Sequence, residues 1–445
     1  MIRKLLILCI PVFLLLSALP APSAHDLLLQ NVNFIDGKGG PAIPNTDILI
    51  RNGKVVKTGK GLSAAGARVI NLSGKTVMPA LICAHMHIGM LKGTTTSGDN
   101  YTRENIIRQL TRYQDYGVLN VLSLGTDRPS LYENHLYDSL KSGLLPGARL
   151  FSAAYGFGVP GGAPPVEMGM NKTYRPMSNE KVASEMDSLV KLQPVAIKLW
   201  LDDFGGSFKK MDSSTYQAII REAHRHGWKV AAHVYYLSDA RKLVRSGVDI
   251  LAHSIRDSVI NDALVQEMKR RQVIYIPTLS LDEYAYAYAG TPSWLSDPFF
   301  LHAVEPGVVA MVSDPAYQDK IKNSPSYNRN RMAVENAAKN VKKLQDAGVV
   351  IAMGTDSGAQ PVRVQGFSEH LELQLLVRAG LTPAAALRAA TLGSAKVLGV
   401  TDKYGTLEAG KMADLVVLSA NPLMDITNTH QIEAVYKAGT AVYTR

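Results

Sequence analysis

The feature that most constrains this chain is a rhythm. Short, continuously apolar runs alternate with segments of helical periodicity from residue 80 to residue 404. Eight such runs end near His87, Gly125, Tyr155, Leu201, His233, His253, Leu279 and Asp356. Runs that are apolar throughout, rather than at every second residue, fit strands buried on both faces of a parallel sheet. The stretches between them, such as Ser213 to His226 and Asp257 to Arg271, carry apolar residues at helical spacing. The pattern predicts an α/β chain with residues 80–404 folded as a (β/α)8, TIM-like barrel. One connection is too long for a simple turn. Residues 280–328, with Tyr284, Tyr286, Tyr288, Trp294, Phe299 and Phe300, follow the seventh run and precede its helix. Such an insertion is expected over the active-site face, at the C-terminal ends of the strands; the other reading is a surface that packs against a second subunit of a homo-oligomer.

The flanks follow a different period. Residues 25–79 and 405–445 alternate short apolar runs with turn residues such as Asp36-Gly37 and Asn52-Gly53, which predicts one small β-sandwich domain built from two distant segments. Ahead of them stand Met1-Ile2-Arg3-Lys4, an apolar run from Leu5 to Leu16, and Ala21-Pro22-Ser23-Ala24. That is the layout of a signal peptide over residues 1–24, so the expected location is exported, periplasmic or secreted after cleavage. The run is short for a bilayer span, so no stable membrane anchor is expected, a retained anchor being the competing reading. Cys9 would leave with this segment, and Cys83 alone cannot form an internal disulfide. The net charge of +10 is scattered, with no basic block interleaved with aromatics, so no nucleic-acid partner is expected.

His85 and His87 end the first run, and the two-residue period of a strand turns both imidazoles to one face. His224 and His226 have the same spacing on a predicted helix, where such positions diverge, and are rejected as a metal pair. A lone histidine or aspartate at a strand end is commonly a cap or a satisfied core group. His233, His253 and Asp356 each end an apolar run as well, and five such groups on the face where barrels keep their chemistry make a joint coincidence hard to sustain. Lys198 ends the fourth run. An amine in that apolar setting has a lowered pKa and could react with carbon dioxide to give a carbamate; the alternative is an exposed lysine or one paired with Asp202 or Asp203.

With these residues in place, the chain resembles the amidohydrolase superfamily along nearly all of its length after residue 24. The resemblance rests on His85-x-His87, Lys198, His233, His253 and Gly354-Thr355-Asp356. It extends to Ala379-Gly380-Leu381-Thr382-Pro383, Ala390-Thr391 and the segment from Gly405 to Leu415. The subgroup it looks most like contains imidazolonepropionase-related hydrolases and prolidase-like dipeptidases. The resemblance implies two divalent metal ions, usually Zn2+: His85, His87, carboxylated Lys198 and Asp356 on one, and Lys198, His233 and His253 on the other. It also implies a substrate contact from Tyr235, in the His-x-Tyr pattern that starts at His233. Cys83 stands where the family commonly has aspartate, and Ala80 where glycine is usual. Cys83 is expected on the inward face with His85, about 7 Å deeper and away from any metal. Tyr155-Gly156-Phe157-Gly158 lacks the histidine that some dipeptidase-like relatives carry after strand three.

The implied activity is hydrolysis of carbon–nitrogen bonds, in amides, peptides or cyclic amides, by a hydroxide bridging two metal ions. Asp356 is the expected general base and then acid, and Tyr235 the donor to the oxyanion. The substrate is expected to be a small amide, dipeptide or lactone. Ester, lactone or carbamate hydrolysis on the same site, a non-catalytic binding protein of this fold, and a metal-free barrel lyase or isomerase remain as alternatives.

Overall fold

The computed structural model describes residues 26–166 and 171–445, and the expected signal segment at 1–24 lies outside the described residues. The chain opens with β1 (Leu27–Phe34), β2 (Ile43–Arg51), β3 (Lys54–Gly59), β4 (Arg68–Asn71) and β5 (Thr76–Pro79). Then follow β6 (Leu81–Met86), the small hairpin β7 (Leu91–Lys92) and β8 (Thr95–Thr96), α1 (Arg103–Asp115), β9 (Val118–Ser123), α2 (Leu136–Ser142) and β10 (Arg149–Ser152). Strand and helix keep alternating through α3 (Asn179–Leu189), β11 (Ala196–Trp200), α4 (Ser213–Arg225), β12 (Lys229–His233), α5 (Leu237–Arg245), β13 (Ile250–Ala252), α6 (Asp262–Arg270) and β14 (Ile274–Ile276). Helices then dominate: α7 (Leu279–Ala287), α8 (Pro298–Ala303), α9 (Val308–Ser313), α10 (Pro315–Lys322), α11 (Tyr327–Asp346), α12 (Phe367–Arg378), α13 (Pro383–Arg388) and α14 (Ser394–Leu398). Three strands close the chain, β15 (Leu415–Leu418), β16 (Ile432–Lys437) and β17 (Thr440–Thr444).

Local chemistry accounts for the helix starts. Thr102, Ser178, Asp212 and Asn261 precede α1, α3, α4 and α6, and each side chain accepts a backbone N–H three residues on. β10, β9 and β6 pair in parallel, as do β11 to β14. The two sets meet at both edges. Val195 N donates to Ser152 O (2.9 Å) and Phe157 bridges Leu199; on the other side Tyr275 bridges Ile351 and Met86 bridges Ser357. Residues 350–357 thus lie between β14 and β6. Ile82, Ala84, Leu122, Phe151, Ala231, Ile250, Ile276 and Ala352, drawn from strands all round this set, pack together with Leu398 of α14. Burying each larger side chain of this kind contributes about 1.5–3 kcal/mol.

The eighth run, expected to end near Asp356, forms only isolated bridges at Ile351 and Ser357, and two further expected strand ends fall short. β10 stops at Ser152 rather than near Tyr155, and β14 at Ile276 rather than near Leu279, because Ala154 (φ 49°) and Thr278 (φ 51°) take left-handed backbone that ends a ladder. The insertion at 280–328 is helical rather than irregular, with Asp297 and Asp314 capping α8 and α10. The terminal segments form one mixed eight-stranded sheet, ordered β17-β16-β15-β5-β1-β2-β3 with β4 on β1, in which β15 joins β5 across the length of the chain. Among the described residues no helix is long and apolar enough to cross a membrane.

Candidate active site

β6 delivers the first two histidines with a change of register. Its pairing with β9 shifts between Cys83 and Met86, so Ala84 packs in the inner strand cluster while His85, the next residue, reaches the site. Asp356 comes from residues 350–357 and has a left-handed φ of 56°. Its Oδ1 lies 3.2 Å from His85 Nε2 and 2.8 Å from His87 Nε2. Thr126, just past β9, sits 2.6 Å from His87 Nδ1 and fixes the ring. Burial pushes the Asp356 carboxyl up, but Arg363, His87 and His85 outweigh it and hold it well below the carboxylate range, with Arg363 bonded to Oδ2. Cys83 is not on the inward face. The register shift turns it into the larger core cluster, where its thiol contacts His85 O (3.3 Å) and Thr355 Oγ1 (3.7 Å).

The remaining groups arrive from β11, β12 and the end of β13. The His253 ring centroid lies 4.6 Å from that of His85 and 4.4 Å from that of His233. His253 Nδ1 meets Thr278 Oγ1 at 2.8 Å, and His233 Nε2 meets Asp202 Oδ2 at 2.9 Å. Burial lowers the pKa of His85 (to about 3), His233 and His253, so these rings stay neutral and keep lone pairs for coordination. Lys198 is 1% exposed, and burial brings its amine down to about 7. Neither acid expected as its alternative partner is available: Asp202 is held by His233, and Asp203 by Tyr236 and Lys210.

These side chains line a cavity of about 430 Å³ together with Tyr235, Trp200, Phe204 and Phe208. Tyr235 is half-buried, with the Arg256 guanidinium 4.7 Å from its ring centre. His224 and His226 lie apart, paired with different acids, Asp249 (2.8 Å) and Asp187 (3.1 Å). Thr126, Thr278, Arg256 and Arg363 were missed in the sequence, and Asp202 was named only as an alternative partner of Lys198, not of His233. The first two stand three and two residues beyond the ends of β9 and β14, positions that could have been scanned for partners of the histidines; the others sit on loops with no pattern of their own.

The Amidohydrolase family model matches residues 76–442. The chain belongs to the amidohydrolase family. It is 40% identical over 107 residues to the imidazolonepropionase of Deinococcus deserti, covering 23% of this chain and 26% of that one. It is 28% identical over 239 residues to the ochratoxinase of Aspergillus niger, covering 52% and 41%. The matched segments therefore span less than half the length of these curated relatives. A solved structure of a prolidase-like protein from Bifidobacterium longum superposes with a TM-score of 0.76, covering 94% of this chain and 95% of that one at 25% identity. The α/β fold is accordingly TIM-barrel-like.

For an amidohydrolase, the donor set bears on metal. One ligand atom each from buried His85, His87 and Asp356 lie within 4.8 Å of one another, close enough to hold an ion. Two further buried polar atoms in the site, His85 Nδ1 and Lys198 Nζ, have no hydrogen-bond partner among the described residues. Neutral imidazoles, a carboxylate and an unmet amine fit a divalent metal better than they fit a purely structural core.

Proposed function

We propose that this amidohydrolase cleaves carbon–nitrogen bonds of small amides or peptide-like molecules, using two divalent ions. The observation that carries this reading is the convergence of His85, His87, Lys198, His233, His253 and Asp356 on one cavity, with the lysine amine buried and unpaired. His85, His87 and Asp356 would hold one ion and His233 and His253 the other. Lys198 Nζ would add to carbon dioxide and lose a proton, giving a carbamate anion for both. Zinc suits the nitrogen-rich set. The bound ions would supply an acidified water as nucleophile and a Lewis acid for the scissile carbonyl.

The chain's own groups do the rest. Asp356, held ionised, takes a proton from the attacking water and returns it to the leaving nitrogen. Tyr235 lines the cavity and keeps its proton, because burial raises its pKa, so it would donate to the oxyanion. Arg256, held by Asp282, lies over the Tyr235 ring and would fix its orientation. We read the parallel set as a closed (β/α)8 barrel over 80–404 with the 280–328 insertion above the site, and the terminal sheet at 25–79 and 405–445 as a sandwich. Support comes from the links at both sheet edges and from a separate core of Leu29, Ile48, Val77, Leu415 and Val417. The layout of residues 1–24 supports export.

Elemental analysis of the purified protein, with intact mass, tests the site. We expect about two zinc-like ions per chain, a mass increment matching a carbamate, and loss of metal in Lys198→Ala. Asp356→Asn should lower kcat for N-acyl amino acids by at least about 100-fold. No stoichiometric metal in metal-replete conditions would sink the reading.

A further inference from the structure

The charges lining the cavity do not balance. Apart from Lys198, the charged residues that line it are Arg256, Arg329 and Arg363 against Asp202 and Asp356. Four of these five have partners in the chain. Arg256 donates to Asp282 (2.8 Å) and to Val234 O (3.0 Å), Arg363 bonds Asp356, and Asp202 accepts from Phe204 N and holds His233. Arg329 has no ion pair or hydrogen bond among the described residues.

Stability gives no reason for a cation there. Arg329 lies in the first turn of α11, which has neither an acidic residue in that turn nor a side-chain cap, and a positive charge at that end opposes the helix dipole. Its guanidinium rests against the loop that follows β11. A Cβ added at Gly205 would meet Arg329 Nη1 at 2.9 Å, so the bare glycine makes room for it beside Phe204. The same loop and its neighbours line the cavity with Trp200, Phe204, Phe208 and Tyr236.

We propose that Arg329 receives the free carboxylate of the substrate, and that the substrate is an N-acyl amino acid or dipeptide whose apolar part lies along this aromatic wall. The proposal rests on the amide-hydrolase reading above and narrows it against neutral lactones and carbamates. Hydrolysis adds one water across the C–N bond, giving a carboxylic acid and an amino acid whose carboxylate stays at Arg329. Arg329 is exposed at the cavity mouth, and a guanidinium–carboxylate contact there is charge-assisted and can be bidentate.

Matched amides test it: N-acyl-phenylalanines against N-acyl-phenethylamines with the same acyl group, which share the scissile bond and differ by the carboxylate. The metal-loaded wild type should prefer the acids. Arg329→Met should shrink that preference in kcat/KM by about 10- to 100-fold, chiefly through KM, and Arg329→Lys should retain part of it. Because the side chain is exposed, thermal melts should confirm that both variants fold. An unchanged preference in Arg329→Met overturns the proposal. Wild-type turnover of the neutral amides without preference for the acids also overturns it, while leaving the amide-hydrolase reading in place. No turnover of either series by fully metal-loaded protein sinks both.

Discussion

Lys198 is the residue on which stability and function pull hardest against each other. A buried amine with no hydrogen-bond partner among the described residues, its Nζ 5.2 Å from the Trp200 ring centre, costs free energy whether it is charged and desolvated or neutral and unbonded. Methionine has nearly the same volume and no such cost. We therefore expect metal-free Lys198→Met to be more stable than metal-free wild type by about 1–3 kcal/mol in urea unfolding, while its metal content falls. A variant less stable than wild type without metal would mean that the amine has a structural partner. The sequence made Lys198 visible through its position after Pro194-Val195-Ala196-Ile197, as it did the histidines at strand ends. The roles of Thr126, Asp202 and Arg363 were not visible, because a hydroxyl or charge on a loop acquires its role only from where the chain brings it. Cys83 was misplaced for a related reason: strict alternation along β6 ignores the register shift after it.

Among the elements, α7 is the piece of the insertion that touches the chemistry. Its Asp282 pairs with Arg256, both buried, and Arg256 in turn lies over the Tyr235 ring. Glu372 of α12 accepts Leu279 N (2.9 Å) and Ser280 N (2.7 Å), tying the start of α7 to the body. Removing one member of a buried pair strands the other, which costs more than losing both. Asp282→Ala should destabilise the protein by about 3–5 kcal/mol, and the double change Arg256→Met with Asp282→Leu should recover most of that in urea titrations. An additive double mutant would show that the pair is not coupled. The rhythm of runs placed β12 with its end at His233, because its apolar residues run unbroken to that histidine. The insertion was harder to read. Its apolar and aromatic residues follow no single period, since α8, α9 and α10 are short helices, the first and last set by their Asp297 and Asp314 caps, rather than one long face.

Across the whole molecule, the question is what fastens the terminal segments to the parallel body. Arg149 of β10 pairs with Asp414 just ahead of β15, and Lys437 of β16 reaches Gly147 O at 2.8 Å. His370 of α12 supplies a third link, with Nε2 2.9 Å from Tyr116 O and Nδ1 3.0 Å from Thr429 Oγ1. Burial, reinforced by His430, lowers its pKa to about 3, against an ordinary value of 6.5. Between those values the unfolded chain binds a proton that the native chain does not, so this contribution to stability is lost as pH falls through that window. The slope is about 1.4 kcal/mol per pH unit. His370→Gln keeps a donor for Tyr116 O but cannot titrate. We expect the stability of wild type relative to this variant to fall by about 2 kcal/mol between pH 7 and pH 5 in urea unfolding curves. Curves that stay parallel over that range would mean that His370 is protonated at no cost in the native state, and that the C-terminal segment is held by Asp414 and Lys437 instead.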